Sequence, residues 1–135
     1  MQTIFSKIIA GEIPCEKIYE DENVFAFLDS NPVNPGHALV IPKQWSEGLL
    51  DAKEETLHQV ISAVQKVAQA IKQATGADGI NIIQNGGEAA GQKVFHLHFH
   101  VIPRFSDDGF QHWHGKGYTS PEQRKEIAEK IRQVL

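Results

Sequence analysis

Cysteine is nearly missing from this chain. Its 135 residues contain one, Cys15, which cannot close an internal disulfide and cannot by itself assemble a metal ligand set. Neither a disulfide-stapled scaffold nor a thiolate metal centre is expected, and Cys15 reads as a half-buried structural thiol. Excess positive charge is also lacking. Thirteen Lys and Arg against 17 Asp and Glu leave a formal charge of -4, whereas a broad nucleic-acid surface needs a basic face. A pocket for one small phosphate ligand needs only local positive charge and stays open. No apolar run approaches membrane-spanning length, and the opening "MQTIFSKIIAGEIPCEK" has no signal-peptide apolar core or small-residue cleavage site. The expectation is a cytoplasmic protein with neither a nucleic-acid nor a membrane partner. Repeats, low-complexity tracts and linkers are missing too, so residues 1–135 are expected to form a single domain.

What is present is an ordinary globular composition, 41% hydrophobic and 22% charged. In "TIFSKIIAG", Ile4, Phe5, Ile8 and Ile9 fall at helical spacing before Gly11, which suits a short helix with a glycine stop. "EKIYE" and "VFAFLDS" read as strands joined by the turn "DEN". "NPVNPG" is a loop, and "HALVIP" is a third strand. From about Asp51 the period changes. Asp51 with Glu54 suggests a capping pair, and Leu57, Val60, Ile61, Val64, Val67, Ala68 and Ile71 mark one helical stripe ending before Gly76. "INIIQN" and "KVFHLHFHVIPR" are two more strands around the glycine-rich "GGEAAG". A last helix opens with Ser120 as N-cap and Pro121 in its first turn, carrying Ile127, Ile131 and Val134 on one side. Strands with short turns plus one long helix predict an α+β fold. About five antiparallel strands form the sheet, the long helix packs on one face, and a C-terminal helix follows.

The unusual feature is "VFHLHFHVIPR", residues 94–104, with His96, His98 and His100 at alternate positions. On a strand, Phe95, Leu97, Phe99 and Val101 face one way and the histidines the other, about 6.6 Å apart. Three uses are consistent with that pattern. It is a polar outer face that happens to be histidine. It is a zinc site, which would need an outside ligand such as His37, since the first and third rings could share an ion only with backbone distortion. Or it serves covalent nucleotidyl transfer, in which a neutral imidazole attacks phosphorus while neighbouring rings handle protons and phosphoryl oxygens. Phosphoryl transfer asks mainly for positioning and for stabilisation of spread negative charge. Gly86, Gly87 and Gly91 would let backbone approach a phosphate closely.

"HLHFHVI" fits the His-φ-His-φ-His-φ-φ signature, φ being apolar, and thereby resembles the histidine triad (HIT) family. "IFSKIIAGEIP", "YEDENVFAFLD", "PGHALVIPK" and "QNGGEAAGQKVFHLHFHVIPR" also look like family segments in family order, covering most of residues 3 to 105. The likeness is greatest to bacterial histidine triad hydrolases and the purine-nucleoside phosphoramidase branch. The resemblance implies a HIT-like fold and a hydrolase or transferase that cleaves a phosphoramidate or phosphoanhydride bond at the α-phosphate of a purine nucleotide. It implies no cofactor and no metal for that step. Dinucleoside polyphosphate hydrolysis and a nucleotide-binding regulator with vestigial catalysis remain as alternatives.

Position by position, the resemblance makes His98 the nucleophile that carries the nucleotidyl group. His96 would hold the other ring nitrogen of His98 through its main-chain carbonyl, and His100 would contact phosphate oxygens. His37 matches a fourth histidine near the phosphate, and Asp29 a carboxylate on the ribose hydroxyls. On its own Asp29 would read as a turn carboxylate. Phe5, Phe27 and Leu39 match positions around the base, although composition alone would make them core. Asn85, Gly91 and Gln92 match loop positions near phosphate and leaving group.

Two departures stand out. Some bacterial relatives have a Cys-x-x-Cys half-site for structural zinc where this chain has Thr3 and Ser6, so no structural zinc is expected. Relatives commonly carry serine where this chain has Lys93, which would add positive charge for a phosphate-rich leaving group. The resemblance also implies a homodimer, with Trp113 of "FQHWHGKGY" near the subunit contact. His112 and His114 flank it without an assigned role. His58 lies off the helical stripe and is expected to be solvated.

Overall fold

The computed structural model describes residues 2–135. The chain runs α1 (Ile4–Ile9), β1 (Lys17–Glu20), β2 (Val24–Leu28), β3 (Ala38–Pro42), α2 (Glu54–Thr75), β4 (Gly79–Ile83), β5 (Phe99–Arg104) and α3 (Pro121–Val134). The five strands form one sheet in the order β1-β2-β3-β5-β4 with every neighbour antiparallel. This is the α+β architecture the sequence predicts. No helix among the described residues is long and apolar enough to cross a membrane.

The sheet is covered on both sides, which is why β2 and β3 read as nearly continuous apolar runs rather than alternating ones. Val24, Ala26, Val40, Phe99 and Val101 pack on one face against Val60, Val64, Val67 and Ile71 of α2. Phe25, Phe27, Leu39 and Ile41 point to the other face, where they meet Phe5 and Ile8 of α1. Half-buried Cys15 packs at the edge of that second cluster, as a structural thiol would. The second, smaller core shares its face with the histidines.

Three local expectations need correction. The strand expected from Lys93 begins only at Phe99. Its would-be partner β3 ends at Pro42, which offers no N–H, while the Pro42 carbonyl accepts from the His96 ring. Residues 95–97 are tied instead to the loop after β3, through Trp45 Nε1–H to Phe95 O (2.8 Å) and Leu97 N–H to Ser46 O (2.9 Å). Phe95 consequently leaves the core face and is exposed.

Asp51 does not cap α2. Its carboxylate turns back to accept from the backbone N–H groups of Glu47 and Gly48, and α2 starts at Glu54 with Lys53 at the N-cap and no side-chain cap bond. Within the stripe of α2, Ile61 is exposed, whereas Thr56 and Ala63 are buried in its place. The other end follows the sequence: Gly76 takes a left-handed φ of 70° and its N–H closes on Lys72 O. In α3, Ser120 caps Gln123 N–H as read, but no residue of that helix is buried. His58 is exposed on α2.

Candidate active site

Antiparallel register builds the site. Phe27 lies opposite Leu39, and Leu39 opposite His100, so these three make one row across β2, β3 and β5. His98, just before β5, adds a ring beside that row, its centroid 5.1 Å from His100 and 5.0 Å edge-on from Phe5 of α1.

The three triad histidines do different work. His96 has no exposed surface and does not reach the cavity. Its Nε2 is 2.8 Å from the carbonyl of Pro42, and a carbonyl only accepts, so Nε2 carries the proton. Nδ1 is then an acceptor, and it receives the hydroxyl proton of Thr3 at 3.0 Å. The backbone carbonyl of His96 in turn accepts from His98 Nδ1–H at 2.7 Å. His98 is thereby held as the Nδ1–H tautomer, with a free lone pair on Nε2.

A second chain of bonds fixes the other pair. The backbone N–H of Val33 donates to His37 Nδ1 (3.0 Å), so Nε2 of His37 is the protonated nitrogen. It stands 2.9 Å from His100 Nδ1 and 3.6 Å from Asp29 Oδ2, and the shorter contact takes the hydrogen bond. His100 Nδ1 accepts, leaving Nε2–H as its remaining donor. Asp29 is held by Asn31 N–H on Oδ1.

Asp29, His37 and His100 bring one ligand atom each within 4.8 Å of one another, the kind of cluster in which an ion could be sought. The donor set does not fit a resident cation. Coordination through His37 Nε2 would move its proton to Nδ1, against the Val33 N–H. Thr3 and Ser6 spend their hydroxyl protons on His96 Nδ1 and on the Thr3 backbone carbonyl.

A cavity of about 420 Å³ opens beside these rings, lined among others by Phe5, Phe27, Asp29, Leu39, Asn85, Gly91, Lys93, His98 and His100. That size suits a small-molecule ligand. Phe5, Phe27 and Leu39 are buried core residues and cavity wall at once. His37 stands behind His100 and does not line the cavity. Ile4, Ile8, Ser30, Asn31 and Val94 also form its wall, a role the sequence pattern does not assign to them. Ser30 and Asn31 could have been suspected as neighbours of Asp29, and Ile4 and Ile8 as neighbours of Phe5. A larger hollow of about 590 Å³ over β1 contains no histidine. Its lysines, Lys17 and Lys43, are both paired with Glu20.

Gln92, expected near phosphate and leaving group, is not among the residues that line the cavity beside the histidines. Its side chain is buried, accepts from Gly87 N–H (2.8 Å) and donates to Glu47 O (2.7 Å) and Val94 O (3.1 Å). It braces the loop from behind. That loop closes through a 3-10 turn, Glu88–Ala90, ending at Gly91 with φ 95°, a conformation that favours glycine.

Burial lowers the proton affinity of all four rings below the ordinary histidine value. For His96 and His98 it outweighs the backbone carbonyls that each ring donates to, and for His37 it outweighs the attraction of Asp29. His100, also repelled by His98 and His37, is pushed down to about 4. With the rings neutral at neutral pH, His98 Nε2 keeps a free lone pair beside the donor His100 Nε2–H.

Fold and site together define an α+β protein in which an imidazole with an unprotonated ring nitrogen lines a small-ligand cavity. The chain belongs to the HIT domain family, whose description matches residues 10–107. The crystal structure of a HIT family protein from Bacillus subtilis superposes with a TM-score of 0.91 at 44% identity, covering 100% of this chain and 98% of that one. An adenosine 5'-monophosphoramidase of Schizosaccharomyces pombe is 38% identical over 135 residues, 97% of this chain and 96% of its own length. An adenylylsulfatase of Arabidopsis thaliana is 44% identical over 105 residues, 78% of this chain and 53% of that protein.

Proposed function

We propose that this chain, folded as one HIT domain over residues 1–135, is a nucleotidyl hydrolase or transferase acting on the α-phosphate of a purine nucleotide. The observation that carries the reading is the bond from His98 Nδ1–H to the His96 carbonyl, which leaves Nε2 unprotonated on a ring that lines the cavity. In the reaction, Nε2 bonds to the α-phosphorus as the phosphoramidate or phosphoanhydride bond breaks. The leaving group departs with the electron pair and takes up a proton. Water then attacks phosphorus, the P–N bond to His98 breaks, and the mononucleotide is released. The positive charge gained by His98 in the intermediate is shared through Nδ1–H with the His96 carbonyl. His100 Nε2–H and the loop at Asn85 and Gly91 meet phosphate oxygens, Asp29 takes the ribose hydroxyls, and Phe5, Phe27 and Leu39 hold the base. The activities named for the two enzymes above, one on a phosphoramidate and one on an adenylyl sulfate, support this class of bond.

A second substrate reading has its own support. Lys93 is an exposed cation on the cavity wall, which favours a phosphate-rich leaving group such as that of a dinucleoside polyphosphate. A homodimer completes the proposal, supported by the unburied apolar stripe of α3 and by Trp113, which is 91% exposed.

Mass spectrometry of protein mixed with adenosine phosphoramidate and quenched within one turnover tests the mechanism. A nucleotidyl adduct located on His98, absent in His98→Ala, is the expected result. Full turnover by His98→Ala would end the covalent reading. Binding of nucleotide without turnover of phosphoramidate or diadenosine polyphosphate would make the protein a regulator.

A further inference from the structure

Thr3 is 93 residues from His96 in sequence, yet their side chains meet at 3.0 Å. The direction of that bond follows from its surroundings. The Ser6 hydroxyl donates to the Thr3 backbone carbonyl at 2.8 Å, and Thr3 Oγ1 accepts from Ser6 N–H at 3.1 Å. His96 Nε2 has already given its proton to Pro42. One hydroxyl proton, that of Thr3, and one acceptor, His96 Nδ1, remain, and they satisfy each other. The hydroxyl and ring atoms in this half-buried knot therefore each have one assignment.

The knot leads directly to the reacting atom. The same residue that Thr3 holds by its ring presents its backbone carbonyl to His98 Nδ1–H. Thr3 is also the N-cap of α1, and α1 brings Phe5 edge-on to both His96 and His98, with centroids 5.9 and 5.0 Å away. One hydroxyl thus fastens the cavity's apolar wall to the backbone that selects the tautomer of His98.

We propose that Thr3 is a positioning residue: by donating its hydroxyl proton to His96 Nδ1 it holds the His96 carbonyl against His98 and so keeps His98 Nε2 free to react. The inference rests on the reading of His98 as nucleophile. Without the Thr3 donor, His96 Nδ1 is left as an unpaired acceptor in the core. The ring then gains by turning or taking up a proton, and either change displaces the carbonyl that His98 leans on.

Helix capping alone would also make Thr3 useful, so the test separates the two roles. Thr3→Ser keeps both cap and donor. Thr3→Val loses both. Thr3→Asp keeps an acceptor for Ser6 N–H, and hence the cap, but offers His96 no proton. For phosphoramidate turnover, the Val and Asp variants should lose on the order of tenfold or more in kcat with KM within about twofold, while Ser stays near the parent. Nitrogen-15 NMR of the imidazoles should show His98 wholly as the Nδ1–H tautomer in the parent and in Thr3→Ser, and a mixture in the other two. Activity retained by Thr3→Asp would reduce Thr3 to a helix cap and overturn the proposal. So would an unchanged His98 tautomer in every variant. If Thr3→Val fails to fold, Thr3→Asp carries the test, because its cap is intact. Turnover by His98→Ala would remove the covalent mechanism, whereas the tautomer measurement would still decide the role of Thr3.

Discussion

His37 Nε2 lies 2.9 Å from His100 Nδ1, and the backbone N–H of Val33 on the far side of the His37 ring decides which of the two nitrogens holds the proton. Because His37 must donate, His100 must accept, and the donor left on His100 is Nε2–H. A backbone amide in the loop between β2 and β3 thus sets the polarity of a group on β5.

Replacing His37 by leucine should remove that polarity without touching His98. The buried acceptor on His100 is then unpaired, and its ring no longer has a preferred donor. A fall in kcat of roughly 10- to 100-fold is expected, with KM little changed. Steady-state kinetics of His37→Leu against His37→Gln, whose amide can still donate, checks it.

All four histidines have depressed proton affinity in the folded chain, so acid should act on stability in one direction. Between the unfolded value near 6.5 and the folded values, which reach about 4 for His100, the unfolded chain binds protons that the folded chain does not. Stability should therefore be full above pH ~6.5 and decline as pH falls from there toward about 4. Urea titrations at steps across that window should show the loss, and substituting His100 by Gln should flatten it. On the proposed mechanism His98 attacks as a neutral ring, so turnover should keep its acid limb below pH ~6.5.

Gly36 sets the bend that delivers His37. Its φ is 101°, and a Cβ there would stand 2.9 Å from Thr75 Cγ2 and 3.3 Å from Pro103 Cγ. Gly36→Ala combines left-handed strain with a collision against α2, and should destabilise the fold by about 2 kcal/mol or more. The shift in urea midpoint at constant m-value measures it.

Ser46 is a buried hydroxyl whose Oγ has no partner among the described residues. Since an unsatisfied buried hydroxyl is unfavourable, Ser46→Ala should leave stability unchanged or raise it by up to about 1 kcal/mol. The backbone carbonyl of Ser46, which receives Leu97 N–H, is retained in the variant. A loss of 1 kcal/mol or more on thermal unfolding would show that the hydroxyl has a role of its own.

The element order, the five strands, the Ser120 cap and the Gly76 stop were legible in the amino-acid pattern, because each depends on neighbours a few residues away. The alternation of His96, His98 and His100 was legible as well, and it placed them opposite Leu97, Phe99 and Val101. What meets the histidines themselves was not. Period-two spacing tells which way a side chain points but not which distant segment comes to meet it. Tertiary structure alone brought Thr3 to His96, Pro42 to the other nitrogen of that ring, and His37 to His100, across 93, 54 and 63 residues. It also turned Gln92 and Asp51 toward backbone groups that local pattern reading could not see. The sequence by itself determined that imidazoles would alternate with apolar residues along the segment that leads into β5. Only the packing of loops and α1 against that segment decided which nitrogens carry protons, because each proton's place depends on a partner supplied from elsewhere in the chain.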